Sequence, residues 1–319
     1  MAVAERTVTL QTVEGPRRRV VSSFRGPDSG RDGTARPLDL LLDALEDRRK
    51  KFRKRLKEGA RAHARESASA VHDLRTASRH LLAVLEGLEV FVRRKKVRRP
   101  RRRIEKLLGR LGPVRDATAQ REMLRRIGSR NPVVRALTSE LAARDRRMAR
   151  NARRLLADMS AKRVCRDLRR LAKATRRDGT GTDDGRLARR AARRALARLR
   201  EKRAAVDPND SKTLHHMRIA LKRFRYLMQE LRPAFPRVAT RDIETLHQLQ
   251  TALGDLHDLD TLTASIATHL EKRAPARAEE MAPAVQRMEE RHAAILLSCL
   301  RAIDPVLGPW ERLLLASGR

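Results

Sequence analysis

Aromatic rings are nearly absent from this sequence: Trp, Tyr and Phe together make up 2% of its 319 residues, with one Trp and one Tyr. Recognition of single-stranded nucleic acid relies on stacking bases against rings, so that class of partner is disfavoured. A duplex held by its backbone, or a polymer without bases, needs only positive charge and hydrogen-bond donors. Cysteine is as scarce. Cys165 and Cys299 lie far apart with no CxxC and no adjacent Cys/His cluster, which argues against a disulfide framework and against a zinc site. No run approaches the roughly 20 apolar residues of a membrane span, and the N-terminus lacks the apolar stretch of a signal peptide. The expectation is a cytoplasmic protein with no membrane partner. A Walker loop, paired metal-binding carboxylates and a nucleophile–base arrangement are also missing, so the sequence reads as a non-enzyme without cofactor or metal.

Acidic residues are few beside basic ones. The 75 Lys and Arg against 39 Asp and Glu leave a formal net charge of +36. Such an excess opposes compaction by self-repulsion, and its usual counterpart is a polyanion: nucleic acid, an anionic surface or a phosphate polymer. A GC-rich genome would also raise the Arg content.

Residues 1–36 read as a flexible basic tail, because PRRRVVSSFRGPDSGRDGTARP is rich in Pro, Gly, Ser and Arg and has no helical period. From Leu38 onward Ala, Leu, Arg and Glu dominate, with apolar residues at three- and four-residue spacing and no alternating strand pattern. The fold class is all-α. Breaks at Pro100, Asn131-Pro132, Asp178–Gly185, Pro208, Pro233-Pro236 and Pro275 predict helices over 38–60, 65–95, 101–128, 132–176, 185–205, 211–231, 238–272 and 276–303.

An internal repeat organises these helices. VHDLRTASRHLL from Val71 matches LHHMRIALKRFR from Leu214 at an offset of 143, and LGPVRDATAQ from Leu111 matches LGDLHDLDTL from Leu253 at an offset of 142. Repeat one covers about 37–178 and repeat two about 186–305, with the linker 178–185 between. Each repeat contains about four helices. Two four-helix, bundle-like halves related by a pseudo-two-fold axis are expected.

On a helix turning about 100° per residue, His215, Arg218, Lys222 and Arg225 form one narrow basic stripe, opposite Leu214, Met217, Leu221, Phe224 and Met228. His72, Arg75 and Arg79 repeat the stripe in the first copy, opposite Val71, Leu74, Leu81 and Leu85. His80 stands there in place of Arg223, and Leu82 in place of Arg225. Exposed helix faces ordinarily mix signs for i,i+4 pairing, whereas these stripes are almost purely basic. Arg186, Arg189, Arg190, Arg193 and Arg200 share another basic face, and 48–57 and 93–103 are basic runs. Like charge recurring on several helices points to a shared anion groove. Neighbouring cations favour neutral His72 and His215, for which packing and phosphate contact both fit. Gly112 and Gly254 read as sites of close helix approach or a bend, and Asp116 and Asp258 as salt-bridge partners that orient Arg side chains.

The paired H-x-x-R-x-x-x-[RK] helices, each followed about 40 residues later by L-G-x-x-[RH]-D, resemble the CHAD family, the conserved histidine α-helical domain, over roughly residues 37–305. The resemblance implies a helical domain around a basic central channel, inorganic polyphosphate as ligand and association with polyphosphate granules. Carried onto this sequence, it implies His72, Arg75 and Arg79 in one copy and His215, Arg218, Lys222, Arg223 and Arg225 in the other as ligand-facing. His80, Leu82 and His257 depart from the basic residues usual in the family. No E-x-E-x-K signature of an accompanying triphosphatase domain is present, which implies a stand-alone binding domain. Charge-driven, non-specific binding of nucleic acid is the alternative, and the sequence leaves the oligomeric state open.

Overall fold

The computed structural model describes residues 36–62, 67–127, 131–158, 161–178 and 183–315. The expected basic tail, apart from Arg36, and linker residues 179–182 lie outside the described residues, as does the side chain of Asp116. The described chain is helical throughout: α1 (Pro37–Arg61), α2 (Ser67–Leu88), α3 (Arg94–Arg110), α4 (Gly112–Ile127), α5 (Pro132–Asp158), α6 (Ala161–Asp178), α7 (Asp184–Ala204), α8 (Ser211–Leu231), α9 (Thr240–Arg273) and α10 (Ala278–Leu315). Two short 3₁₀ turns, Arg232–Ala234 and Pro275–Arg277, lead into α9 and α10.

Local sequence explains where several helices start. The side chains of Asp183 and Asp210 accept hydrogen bonds from the backbone of Arg186 at 3.0 Å and Lys212 at 2.9 Å, capping α7 and α8. Asn131 caps α5 from Val133 N at 2.8 Å, with Pro132 in the first turn where its missing N–H costs nothing.

Several expected boundaries move, and the helix expected over 276–303 runs on to Leu315 through Pro305 and Pro309. Pro100 does not break the chain; it lies buried inside α3, which begins six residues earlier. The break falls instead after Leu111, where Pro113 has no N–H for the carbonyl of Gly109 and sits in the first turn of the new helix. The repeat-two counterpart has Asp255 in place of that proline, and α9 runs through without interruption. The helix expected over 132–176 is two, α5 and α6, with neither Gly nor Pro to mark their junction. Repeat one accordingly has six helices where about four were expected.

The main core is built where α1, α2, α7 and α8 meet. Leu41, Leu45, Phe52, Leu74, Leu85, Leu221 and Phe224 are fully buried there, and Trp310 of α10 meets the Phe224 ring edge-on at 5.3 Å between centroids. A second, smaller core joins α4, α5, α9 and α10 through Leu124, Leu137, Leu262, Ile266 and Met281. The two repeat motifs meet directly, since α2 packs on α8. Arg36 at the start of α1 binds Asp184 of α7 at 2.9 Å and ties the beginning of one repeat to the beginning of the other.

One expectation from composition needs correction. Residues Pro275–Leu315 contain an 18-residue stretch of mean hydropathy 1.3, apolar enough by length and composition to cross a membrane, of which 33% is buried within the fold. It escapes a scan for unbroken apolar runs because Ser298, Pro305, Gly308, Pro309 and the single charges Arg301 and Asp304 are spread through it. Its helix packs on α9 and α7.

Candidate functional site

The α2–α8 crossing leaves a cavity of about 400 Å³, closed on its other sides by the end of α3, the start of α4 and one turn of α9. Arg75, Arg79 and Leu82 come from α2, and His215, Arg218, Ile219, Lys222, Arg223 and Tyr226 from α8. Glu105, Leu108 and Gly109 come from α3, Gly112 from α4 and His257 from α9. Among the described residues, five Lys and Arg side chains thus line the cavity with one carboxylate. Residues 143 apart in sequence share the cavity because the apolar stripes of α2 and α8 seal against the core, which turns both basic stripes the same way.

Each cation is held differently. Arg75 is 9% exposed and donates from Nη1 to the Leu108 carbonyl at 3.1 Å, meeting one of the carbonyls that the end of α3 leaves without a helical partner. Arg218 is buried at 6% exposure. Arg223 reaches Glu105 at 3.8 Å, and Glu105 also accepts from Arg101 at 2.9 Å, so the one carboxylate is shared between two guanidinium groups. The His215 ring lies 4.8 Å from the His257 ring, and its Nδ1 is buried with no hydrogen-bond partner among the described residues. Burial, reinforced by Arg218 and by His257, pushes the His215 pKa down to about 4, so the ring is neutral at pH 7.

The structure separates the sequence-derived candidates into three groups. Arg75, Arg79, His215, Arg218, Lys222 and Arg223 come together at the cavity. His80 and Arg225 lie beneath it. His80 Nδ1 bonds Glu230 Oε1 at 2.9 Å, and Glu230 also binds Arg48 at 2.8 Å. Arg225 donates to Gln250 at 2.9 Å and stacks on the Tyr226 ring at 4.3 Å. Tyr226 is therefore held between the Arg225 guanidinium and the His80 ring, whose centroid is 4.3 Å away. These two residues position the floor of the cavity rather than line it. His72 is exposed on α2 outside the lining; Arg190 is exposed on α7, and Arg193 donates to the Leu314 carbonyl.

The second-motif residues also divide. A Cβ on Gly254 would meet nothing within 4 Å, and one on Gly112 would reach only Arg75 Nη1 at 3.9 Å, so neither glycine is required for close helix approach. Asp258 lines a separate cavity of about 390 Å³ with Glu122, Asp255, Arg287 and Arg291. The sequence reading did not single out Glu105 or the Leu108 carbonyl. Glu105 had one signal: it is the single acid in the basic helix from Arg94 to Arg110.

The sequence profile of the CHAD domain matches residues 43–267 of this chain. Among curated proteins no sequence matches. Among solved structures, the crystal structure of the CHAD domain from the plant Ricinus communis is similar in fold, with a TM-score of 0.55 at 19% sequence identity, over 88% of this chain and 92% of that one. The matched stretch includes both motif helices and every described residue that lines the cavity, and it places the chain in the CHAD domain family.

Proposed function

We propose that the cavity between α2 and α8 holds a strand of inorganic polyphosphate. The observation that carries this reading is the convergence, among the described residues, of five Lys and Arg side chains from both repeats on one concave site with a single carboxylate. Guanidinium and ammonium groups make charge-assisted hydrogen bonds to phosphate oxygens, and Arg does so in a bidentate fork. The buried Nδ1 of His215 supplies one more group able to hydrogen-bond an oxygen. A cavity of about 400 Å³ admits a linear phosphate chain but not a double helix. A polymer without bases also makes no use of aromatic platforms, and Tyr226 offers the cavity little ring surface because it is only 7% exposed.

The role is binding without turnover. Among the described residues the lining has one carboxylate and no Ser, Thr or Cys, which leaves no nucleophile–base pair. Granule association would follow from the binding. The test compares two variants of equal charge loss: Arg79→Gln with Lys222→Gln and Arg223→Gln in the cavity, and Arg17→Gln with Arg18→Gln and Arg19→Gln in the N-terminal segment. Each charge-assisted hydrogen bond contributes at least about 1.5 kcal/mol, so the cavity variant should lose about a hundredfold or more in polyphosphate affinity. The other should lose only what long-range attraction gives at a Debye length of about 8 Å. Equal losses in variants of unchanged helicity would refute a shaped site. Release of orthophosphate by the purified protein would refute binding without turnover.

A further inference from the structure

Positive charge is not spread evenly over this molecule. α9 carries three Lys and Arg against six Asp and Glu, whereas α3 carries ten against one and α6 eight against two. A genome-wide bias towards Arg would not leave α9 acidic; α7 is as basic, nine against two, but its Arg198, Arg200 and Arg203 bind Glu86, Glu311 and Asp304, so the concentration on α3 and α6 calls for a structural reason.

The two helices pack side by side and antiparallel. Lys96 near the start of α3 binds Asp178 at the end of α6 at 2.7 Å, while Arg103, further along α3, binds Asp167, which Arg99 also approaches at 3.7 Å. Both carboxylates of α6 are thereby spent clamping it to α3, and the one carboxylate of α3, Glu105, turns towards Arg101 and the central cavity. Acid is thus removed from the outer surface. Every exposed position of α3 except Gly109, and every exposed position of α6 except Asp178, is Lys or Arg. Arg98, Arg102 and Lys106 form one outward row and Arg166, Arg170 and Lys173 another. None of these six makes an ion pair with a carboxylate among the described residues.

We infer that the outer face of α3 and α6 is a docking surface for duplex nucleic acid, separate from the cavity and read through the phosphate backbone alone. Its two rows stand on packed helices, whose axes run about 8–10 Å apart. Side chains splaying from both rows reach two lines of phosphates across a groove about 12 Å wide, the width of the major groove of B-form DNA. The 18 residues of α6 rise about 27 Å, enough to follow about eight base pairs at 3.4 Å per step. With no exposed ring on either helix there is nothing to stack unpaired bases, which favours a duplex over a single strand. With no exposed large apolar side chain there is nothing to enter a bilayer, which argues against a membrane surface. The spacing fits B-form DNA; duplex RNA, whose A-form major groove is deep and narrow, offers the same phosphate chemistry at a different spacing.

The measurement is fluorescence anisotropy of a labelled duplex of about 20 base pairs, as DNA and as RNA, titrated with full-length protein over a range of salt. Arg102→Gln with Arg166→Gln and Arg170→Gln should weaken duplex binding about tenfold or more. The same variant should reduce the slope of log affinity against log salt by about 2 to 3, because each lost phosphate contact removes about 0.9. Arg146→Gln with Arg150→Gln and Arg153→Gln, an equal charge loss at exposed positions of α5, should change affinity by less than about threefold. The cavity variant of Arg79, Lys222 and Arg223 should keep duplex affinity. Since no polyphosphate is in the assay, failure of the polyphosphate reading leaves this outcome untouched. The DNA and RNA arms show which duplex is preferred. Equal loss in the α5 variant would overturn the assignment in favour of diffuse charge. Equal loss in the cavity variant would place the duplex at the cavity instead. Tighter binding to vesicles of anionic phospholipid than to either duplex would make a membrane the partner.

Discussion

The His215 imidazole is desolvated by the cavity wall and stands beside Arg218 and His257, and all three effects favour the uncharged ring, whose pKa falls to about 4. In the unfolded chain the same ring titrates near 6.5. Between those values the unfolded state binds a proton that the folded state refuses, so this contribution to stability is complete above about pH 6.5 and is lost as pH falls towards 4. The melting temperature should therefore drop between pH 7 and pH 5, and His215→Gln should flatten that part of the profile. A bound anion reverses the local sign. It favours the imidazolium, so polyphosphate should bind tighter as pH falls over the same window, with proton uptake measurable by calorimetry in two buffers. Below the cavity, Glu230 is 8% exposed and holds both Arg48 and His80. Burial alone would raise its pKa, but the hydrogen bonds from His80 and Arg48 outweigh that and hold it below the usual carboxylate value. Glu230→Ala leaves a largely buried guanidinium without its counter-charge and should cost about 3 kcal/mol in denaturant unfolding.

Two helix glycines make opposite predictions. Gly87 of α2 sits where α1 and α8 press on it: a Cβ there would lie 3.0 Å from a methyl of Leu41 and 3.1 Å from one of Leu227. Gly87→Val should destabilise by about 1–3 kcal/mol, through overpacking between helices that cannot move apart independently. Gly254, although part of the repeated motif, has open space where its Cβ would be, and Gly254→Ala should stabilise by up to about 1 kcal/mol from helix propensity. The contrast shows what was legible in the sequence at this scale. The boundaries of α1, α7 and α8 follow from apolar spacing and flanking Asp or Pro, and the stripe on α8 follows from the 3.6-residue period. The junctions at Leu111 and between α5 and α6 do not follow from it, and neither does the neighbour of a glycine, because those depend on which helices meet. Arg225 shows the same limit at the site. It falls about 80° from His215 on the helical wheel, at the edge of the stripe, and Gln250 from the next helix settles that it turns inward.

Across the whole molecule the net charge of +36 is a standing repulsion that folding must overcome, because compaction brings the cations of α3, α6 and α7 closer together than they are in the unfolded chain. The total was legible from composition. Its partition was not, since the clamp of Asp167 and Asp178 against α3 joins segments more than 60 residues apart and decides which charges face outward. Two contributions to stability can then be separated by experiment. Simple salt screens the repulsion everywhere, so thermal stability should rise between low and moderate chloride concentration, and it should do so equally in the parent protein and in the Arg79, Lys222 and Arg223 cavity variant, after allowing for the three charges removed. Polyphosphate adds a site-specific contribution. At a free concentration a hundredfold above its dissociation constant it stabilises the folded state by about 2.7 kcal/mol, because it binds the assembled cavity and not the unfolded chain. For a domain of this size that corresponds to a rise of about 4–5 °C in Tm at constant ionic strength. The cavity variant should keep the rise with chloride and lose most of the further rise with polyphosphate. If the variant retains both, the stabilisation comes from screening by any polyanion, and the cavity has no privileged part in it.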